Sequence, residues 1–413
     1  MTLKSIPGMK DILPEESTQW HRVEGAARRL FTLYGYSEIR TPLLEETSLF
    51  KRSVGELTDI VTKEMYTFED KDGGSLTLRP EGTASVVRAA IEHNLINVSS
   101  PQLKVYYLGP MYRRERPQKG RFRQFYQIGV ENFGSQAPLA DAEVIQMADS
   151  FFKQLGIKNL TLFINSLGLA SERKKYQDEL QKFLSKKKEK FCADCQQRIT
   201  RNPLRVLDCK NPSCAELTKG HPAILNFLDP ESAGHFSEVQ SALKRAGVPF
   251  TVNPKMVRGL DYYQRTVFEF VSEELGAQST LAAGGRYDSL VKDLGGPDIP
   301  GTGFAIGLER LLMLIPPAEK VSGKKVFIAF MGKEAQVKAQ EIAMQLRAAG
   351  CAAEMDFEEK SLKSQLRRAD KLVSTHVIIL GEEELKKGEA QVKDFHAKTQ
   401  ANIPLKNLVS ALS

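Results

Sequence analysis

A short segment of this chain concentrates positive charge between two stretches with strand character. Residues 112–125 hold five arginines and one lysine around a single glycine, Gly120. The apolar run Lys104–Leu108 precedes this segment, and residues Phe122–Phe133 alternate with a period of two, which predicts a β-hairpin with a cationic loop. A hairpin commits this part of the chain to an antiparallel sheet. The loop is either a phosphate-binding element or a solvated tip, and its own residues leave both interpretations open.

Length and charge limit the class of protein. The chain has 413 residues, which exceeds one simple core, so two or three domains are expected. Its net charge of +7, from 58 basic and 51 acidic residues, favours polyanionic partners but is far from the imbalance of a histone-like protein. No stretch approaches about eighteen consecutive apolar residues, and no apolar run follows a basic start. We therefore expect a cytoplasmic protein with no membrane partner.

The order of patterns predicts four segments. Residues 1–167 begin with an amphipathic helix that ends at Gly35 and continue mainly as strands. Residues 168–246 are rich in Lys, Glu and Gln and predict a helical insertion domain, after which strands resume in residues 247–318. The first and third segments together predict an α+β catalytic domain built on an antiparallel sheet. Residues 325–413 alternate strand and helix, which predicts a small α/β domain.

Four of the five cysteines form a cluster, namely Cys192, Cys195, Cys209 and Cys214. In a reducing compartment this spacing indicates a metal before a disulfide, and four thiolates would give Zn²⁺ a closed, structural site. The second pair is spaced more widely than Cys-x-x-Cys, so reduced free thiols are the alternative. The fifth, Cys351, is expected to be a small core residue.

Two clusters combine carboxylates with other polar side chains. Glu81 and Thr83 follow a turn, and the alternative to a ligand-binding role is that they cap the next helix. Gln127 and Glu131 lie four apart on the predicted strand after the cationic loop, so they share one face of it. A carboxylate buried there requires a cationic or hydrogen-bonding partner.

Two further clusters are rich in glycine. Segments Arg258–Tyr263 and Gly284–Asp288 place glycines beside arginine and tyrosine, which allows close approach to a ligand, although each segment alone could equally be a turn with packing tyrosines. Gly301–Arg310 has evenly spaced glycines on a predicted buried strand that leads into a helix. It lacks the Gly-x-Gly-x-x-Gly spacing and the βαβ surroundings of a dinucleotide site, which excludes a Rossmann interpretation.

These clusters, in this order, resemble the three motifs of the class II aminoacyl-tRNA synthetases, and within that class the bacterial histidyl-tRNA synthetases. The first helix with Tyr36–Pro42 resembles motif 1, Arg113–Glu115 with its loop resembles motif 2, and Gly307–Arg310 resembles motif 3. Segments Arg258–Tyr263 and Gly284–Asp288 are similar to the two peptides that distinguish the histidine enzymes from other class II members. The resemblance covers nearly the whole chain and implies a C-terminal anticodon-binding domain.

The resemblance also implies roles for individual residues in the activation of L-histidine by ATP with Mg²⁺. The implied catalytic cations are Arg258 and Arg113. The implied ATP-binding residues are Arg113, Glu115, Arg121 and Arg310. The implied histidine-binding residues are Glu81, Thr83, Gln127, Glu131, Arg258, Tyr262, Tyr263 and Tyr287.

A second implied step transfers the histidyl group to the 3′ end of histidine tRNA, with Arg116 and Gln118 beside the acceptor end. The resemblance implies a homodimer, but it does not imply zinc, because many relatives carry other residues in the cysteine places. Three alternatives remain: a different class II synthetase, a catalytically silent histidine-binding regulatory paralogue, and a nucleic-acid-binding module. The paralogues typically lose the region of Arg258 and the C-terminal domain, and a binding module leaves Glu131, Arg258 and Tyr287 unexplained.

Overall fold

The computed structural model describes residues 3–56, 58–209, 211–317, 324–395 and 397–412. The chain forms two compact units, Met1–Pro317 and Ala318–Ser413. The larger unit contains the first three predicted segments, whose individual boundaries stay predictions. The predicted boundary at residue 318 falls in the stretch 318–323, which lies outside the described residues. No helix in the described part of the chain is long and apolar enough to span a bilayer.

The larger unit contains eleven strands and eleven α-helices among its described residues. The strands are β1 (Ser37–Glu38), β2 (Leu44–Glu46), β3 (Tyr66–Glu69), β4 (Ser75–Leu78), β5 (Leu103–Tyr112), β6 (Gln124–Phe133), β7 (Thr161–Ser166), β8 (Thr251–Val252), β9 (Gln264–Val271), β10 (Thr280–Arg286) and β11 (Gly301–Gly307). The helices are α1 (Pro14–Leu33), α2 (Thr47–Val54), α3 (Thr83–Glu92), α4 (Pro138–Gln154), α5 (Ala170–Ser185), α6 (Ala193–Arg201), α7 (Leu204–Leu207), α8 (Pro212–Leu217), α9 (Pro230–Arg245), α10 (Leu290–Asp293) and α11 (Leu308–Leu314).

An eight-stranded sheet organises this unit, in the order β1-β5-β6-β11-β10-β9-β7-β8. Its six central strands pair antiparallel, which confirms the α+β prediction. The two outermost pairs, β1 with β5 and β7 with β8, are parallel. Strands β1 and β8 have only two residues each, too few for an alternation pattern to show in the sequence. A separate antiparallel sheet has the order β2-β4-β3.

Helix α1 covers one face of the large sheet. Pro14 stands in its first turn with two glutamates, and the chain leaves the helix before Gly35, which has a φ of +82°. The buried side chains Trp20, Val23 and Ala27 recur at helical spacing, followed by Phe31. The Phe31 ring packs 5.5 Å from that of Tyr106 on β5. The predicted helix is therefore confirmed, and its apolar stripe forms one layer of the core together with α4 and α9.

The opposite face of the sheet carries the helices α5 to α8, between residues 170 and 217, and a second apolar core. Alternation along β6 assigns its side chains to the two faces. Val130 belongs to the core under α1, and Phe133 belongs to the core on the other side. Glu131, one residue from Val130, therefore points to the second face. The period-two pattern of this strand thus directs a carboxylate inward.

The smaller unit is a five-stranded sheet with helices. Its elements are β12 (Lys325–Phe330), α12 (Lys333–Ala348), β13 (Ala352–Met355), α13 (Leu362–Lys371), β14 (His376–Leu380), α14 (Glu382–Lys387), β15 (Glu389–Asp394), β16 (Thr399–Pro404) and α15 (Leu408–Leu412). The order is β13-β12-β14-β15-β16, with the first three strands parallel, as βαβ alternation predicts. The antiparallel hairpin β15–β16 was not predicted, because β16 is polar and almost wholly exposed.

Arg286 belongs to a segment that the sequence places near a ligand, but the structure buries it between the sheet and two helices. Its guanidinium donates to Asp141 on α4 (Nη2 to Oδ1, 2.6 Å) and to Asp288 (Nη1 to Oδ1, 2.9 Å). The other Asp141 oxygen lies 2.8 Å from Nε2 of His235 on α9. Arg286 and Asp141 are both fully buried. The arginine therefore holds the helices α4 and α9 to the end of β10.

We expect Asp141→Asn to lower the free energy of unfolding by about 3–5 kcal/mol, because it removes the fully buried one of the two carboxylates that pair with Arg286. Urea unfolding followed by circular dichroism measures the change. Asp149→Asn on the same helix is the matched control, since Asp149 pairs with a well-exposed lysine, Lys153, and such pairs contribute less than about 1 kcal/mol. Equal effects of the two substitutions would contradict a structural role for the buried pair.

Candidate active site

A cavity of about 450 Å³ opens on the second face of the large sheet. It is lined by residues from α3, β5, β6, β9, β10, β11 and α11, by the cationic loop and by the segment before β9. The structure thus brings together all twelve residues predicted for ATP and histidine. They are Glu81, Thr83, Arg113, Glu115, Arg121, Gln127, Glu131, Arg258, Tyr262, Tyr263, Tyr287 and Arg310.

Glu131 lies at one end of this cavity and is buried, with 1% of its surface exposed. The Thr83 hydroxyl donates to its Oε1 (2.7 Å), and the Tyr287 hydroxyl donates to its Oε2. Burial raises the pKa of Glu131 to about 8, although these two hydrogen bonds act in the opposite direction. The carboxyl group is therefore poised to change its protonation when a hydrogen-bond donor enters the cavity.

The even spacing of glycines on β11 has a steric cause. Gly303 pairs with Glu131 across the β6–β11 register, and a Cβ on it would stand 2.2 Å from the Glu131 carboxylate. A Cβ on Gly301 would stand 2.3 Å from the ring of Tyr287. The glycines of this segment therefore make room for the side chains at the cavity floor, and they do not cradle a dinucleotide.

Glu81 combines the two roles that the sequence left as alternatives. Its carboxylate accepts the backbone N–H groups of Thr83 (2.8 Å) and Ala84 (2.9 Å) at the start of α3. It also lines the cavity, and burial raises its pKa. Gln127 lies on the same wall, and its buried Oε1 has no hydrogen-bond partner among the described residues. An unsatisfied buried acceptor in a cavity is suited to a donor on a ligand.

Arg258 occupies the middle of the cavity. Its guanidinium pairs with Glu269 on β9 and lies 5.4 Å from the centroid of the Tyr263 ring. Its buried Nε has no hydrogen-bond partner in the part of the chain that the structure describes. Burial acts to lower the pKa of Arg258, but Glu269 and the neighbouring tyrosines outweigh it, so the pKa is raised. The guanidinium is thus held in place and charged, and its Nε–H is available to donate a hydrogen bond to a ligand.

The other end of the cavity is cationic. Arg113 donates from Nε to the carbonyl oxygen of Pro80 (2.9 Å) and lies 5.3 Å from the Phe125 ring centroid. Arg121 forms an ion pair with Glu115, so the structure joins two of the residues that the resemblance assigns to ATP binding.

Arg310 completes this cationic end from helix α11. It donates from Nε to the Gly120 carbonyl (2.9 Å) and from Nη1 to the Thr280 carbonyl (2.7 Å). Burial and the nearby positive charges of Arg121 and Arg113 lower its pKa. Three guanidinium groups that repel one another favour a polyanionic ligand, which relieves the repulsion.

Only part of the cationic loop lines the cavity, namely Gly120 and Arg121 at its far end and Arg113 and Glu115 at its start. Gln118 and Arg121 exchange two backbone hydrogen bonds (3.1 and 2.9 Å), and this turn is closed by Gly120 with a φ of +70°. Arg116 and Gln118 are exposed beside it. The loop therefore divides into cations that face the cavity and polar groups that face solvent.

Several residues that line the cavity were not predicted from the sequence, and two of them are Tyr107 and Glu269. The ring of Tyr107 on β5 lines the cavity and packs against Gly82 and Gly129. A Cβ would stand 2.3 Å from this ring at Gly82 and 2.2 Å from it at Gly129. Glu269 is the partner of Arg258. The period-two pattern of β5 and β9 could have assigned Tyr107 and Glu269 each to one face of the sheet. Only the strand register shows which residues they contact.

The comparisons with known proteins agree with this geometry. Residues 8–311 match the family model described as histidyl-tRNA synthetase, and residues 325–413 match an anticodon binding domain. The chain is 49% identical to the histidine–tRNA ligase of Syntrophotalea carbinolica, with 100% of this chain and 98% of the relative aligned. It is 52% identical to that of Trichlorobacter lovleyi over 95% and 94%.

A solved structure extends the likeness to three dimensions. The crystal structure of the apo histidyl-tRNA synthetase of S. aureus aligns over 100% of both chains, with a TM-score of 0.84 and 37% identity. Sequence identity near one half over the full length, two matching family models and a shared fold all point the same way. The chain belongs to the histidyl-tRNA synthetase family.

Proposed function

We propose that this protein activates L-histidine with ATP and transfers the histidyl group to the 3′ end of histidine tRNA. The observation that carries the proposal is a single cavity with a buried carboxylate and hydroxyls at one end and three convergent arginines at the other. The first end suits an amino acid with ring N–H donors, and the second suits a triphosphate. Aminoacyl-tRNA synthetases in general use ATP with Mg²⁺.

In the first step, a carboxylate oxygen of histidine attacks the α-phosphorus of ATP, and the bond to pyrophosphate breaks. The substrate supplies its own nucleophile, so the protein contributes position and charge. Arg113 and Arg258 stabilise the charge on the α-phosphoryl oxygens, Arg121 and Arg310 bind the outer phosphates, and Glu115 lies toward the adenine. Opening of the Arg121–Glu115 ion pair would free both side chains for this purpose.

The Mg²⁺ ion enters as part of the ATP substrate. Among the described residues, the only cluster of three or more metal-ligating side chains is the four-cysteine group, which is unsuited to Mg²⁺. Phosphate oxygens and water, with at most one or two cavity carboxylates, fit the way Mg²⁺ is usually held at such sites. Its chemistry is to neutralise phosphate charge.

Histidine is recognised at the carboxylate end. Glu81, Thr83 and Gln127 bind the amino group, and Glu131 and Tyr263 face the imidazole nitrogens. Tyr262 and Tyr287 enclose the ring, with Tyr262 and Tyr263 ring centroids 4.7 Å apart. An amino acid without ring nitrogens would leave buried polar groups unpaired, and this kind of mismatch discriminates strongly against the wrong substrate.

In the second step, a hydroxyl oxygen of the terminal ribose of tRNA attacks the carbonyl carbon of the histidyl-adenylate. An ester bond forms, the bond to the phosphate of AMP breaks, and AMP leaves with the hydroxyl proton. Arg116 and Gln118 are exposed on the loop that also supplies Arg113 and Arg121, which supports a contact with the acceptor end. The match of residues 325–413 to an anticodon binding domain supports a second tRNA contact. We also propose a homodimer, supported by the resemblance of helix α1 and β1 to motif 1, and a cytoplasmic location, where tRNA is charged.

A histidine-binding regulatory paralogue without catalysis is not favoured. Such proteins typically lack the Arg258 segment and the C-terminal domain, and both are present here. A different class II synthetase is disfavoured by the full-length identity to histidine–tRNA ligases.

The direct test is histidine-dependent exchange of pyrophosphate into ATP. We expect exchange with histidine and none with other amino acids, measured with purified protein, ATP and Mg²⁺. In the same assay, Arg258→Ala should slow exchange by roughly 10²–10³-fold, since it removes a fixed charge at the reacting phosphate. Histidine binding, measured by calorimetry, should change little.

Glu269→Gln is the matched control for Arg258, because it removes the partner of the cation but keeps the cation itself. If both substitutions slow exchange equally, Arg258 acts only through that ion pair. No exchange by the unaltered protein would favour the regulatory paralogue.

Glu131→Gln should change two properties that can be measured separately, the pH dependence of stability and the KM for histidine. The pKa of Glu131 is raised from 4.5 to about 8 in the folded protein, because burial favours the protonated carboxyl. The contribution of this group to the free energy of unfolding is therefore fully present below about pH 4.5 and is lost as the pH rises through about 8. The amide does not titrate, so the variant should melt above the unaltered protein at about pH 9 and close to it at about pH 5. Its KM for histidine should rise at least tenfold, roughly the loss of one charge-assisted hydrogen bond.

Glu143→Gln is the control, since Glu143 is partly exposed and paired with Lys104 at the surface. A variant of Glu131 that keeps the original KM would exclude it from histidine recognition. A melting difference that is the same at both pH values would contradict the raised pKa.

Arg116→Ala and Gln118→Ala should lower the rate of transfer to tRNA more than the rate of exchange, because both lie on the solvent side of the loop. Loss of a phosphate contact at Arg116 should also reduce the salt dependence of charging. Single-turnover transfer from preformed adenylate measures this, with Arg245→Ala on the distant end of α9 as the control. An equal loss in exchange and transfer would place the two residues in the first step.

A further inference from the structure

The four clustered cysteines converge on one point in the described structure. Their four sulfur atoms all lie within 4.8 Å of one another, and none of the cysteines is in a disulfide. Tetrahedral Zn²⁺ with Zn–S bonds of about 2.3 Å requires sulfur separations of about 3.8 Å. The Cys192 and Cys209 sulfurs already stand 4.0 Å apart. The donor set therefore fits a closed zinc site with only small movements.

The surroundings of these sulfurs are those of a built site. Cys195 and Cys214 are fully buried in the second apolar core, and Cys192 and Cys209 are half-buried. The backbone N–H of Cys192 points to the Cys214 sulfur at 3.4 Å, as second-sphere donors do in thiolate metal sites. Cys192 and Cys195 lie just before and within the first turn of α6, Cys209 follows α7 by two residues, and Cys214 is in the middle of α8. These helices have nine, four and six residues, too short to be stable alone.

The same helices contact the segment that carries Arg258. Arg205 on α7 donates to the Gly259 carbonyl, with its Nη2 2.5 Å from the oxygen, and lies 4.0 Å from Asp261. Arg198 on α6 pairs with Asp59 at 3.3 Å. Asp208, next to Cys209, lines the cavity itself. The cysteine cluster thus lies behind one wall of the candidate active site.

We propose that the four cysteines bind one structural Zn²⁺, and that this ion positions α6 and α7 so that Arg205 holds the Arg258–Tyr263 segment in its active geometry. The ion has four protein thiolates and no open position, so it takes no part in the chemistry. The positioning part rests on the proposed histidine activation, whereas the metal part does not. Arg205 is a positioning residue, since it acts through the Gly259 backbone.

Metal content tests the first part without any activity assay. Untagged protein should contain one Zn per chain by mass spectrometry, and the four thiols should resist a thiol reagent until a chelator or denaturant is added. Growth with cobalt should give the charge-transfer and visible bands of tetrahedral thiolate coordination. Cys209→Ser should lose the metal, while Cys351→Ser, a buried cysteine of the smaller unit, should keep it. Substoichiometric zinc with four freely reacting thiols in native protein would overturn the site.

A double-mutant cycle tests the positioning. Arg205→Ala should keep full zinc and lower kcat/KM for histidine in exchange by about ten- to a hundredfold, the usual cost of misplacing a catalytic group. Cys209→Ser should give a similar loss, and the double variant should be no worse than Cys209→Ser alone. Additive losses, or full activity of the zinc-free variant, would overturn the positioning role and leave the zinc site intact. Absence of exchange in the unaltered protein would instead reject the proposed function.

Discussion

The buried carboxylate of Glu131 is the constraint on which the rest of the site depends. An acid in the middle of a sheet face is stable only if every neighbour accommodates it. Thr83 and Tyr287 supply hydroxyl donors from α3 and from the turn after β10, and Gly303 leaves the adjacent strand without a side chain. These partners come from three elements that are distant in sequence. The environment of this carboxylate is therefore set jointly by a helix, a turn and a neighbouring strand.

The cationic end follows a different physical rule. Carboxylates that neutralised Arg113 and Arg310 would reduce their attraction for phosphate. Both arginines are instead held by backbone carbonyls, from Pro80 for the first and from Gly120 and Thr280 for the second. A carbonyl orients a guanidinium and leaves its net charge available. In the proposed ATP-binding role, this arrangement would spare the site from reorganising when phosphates bind, and such electrostatic preorganisation is the largest single source of catalysis at many enzymes.

Local sequence patterns were sufficient to predict individual strands and the faces to which their side chains point. Alternation predicted β6 and directed Glu131 inward, and the segment Gly301–Arg310 forms a strand that leads into a helix, as predicted. Patterns failed where a partner is remote. Arg286 was expected near a ligand, but its counterion Asp141 is 145 residues away, and nothing local reveals the pair. Glu269 was missed for the same reason. The roles of individual cavity residues came from resemblance, because side-chain chemistry alone does not distinguish a phosphate arginine from a structural one.

The segment that carries Arg258 shows why the helical insertion matters to the site. Residues 253–263 form neither helix nor strand, so their backbone groups lack the hydrogen bonds that regular structure would supply. Arginine side chains from two helices supply two such bonds, since Arg205 on α7 donates to the Gly259 carbonyl and Arg173 on α5 donates to the Tyr263 carbonyl. An irregular segment can aim Arg258, Tyr262 and Tyr263 into one cavity, which a strand with alternating side chains cannot do. The irregularity that makes this convergence possible is also what makes the segment dependent on support from outside the sheet.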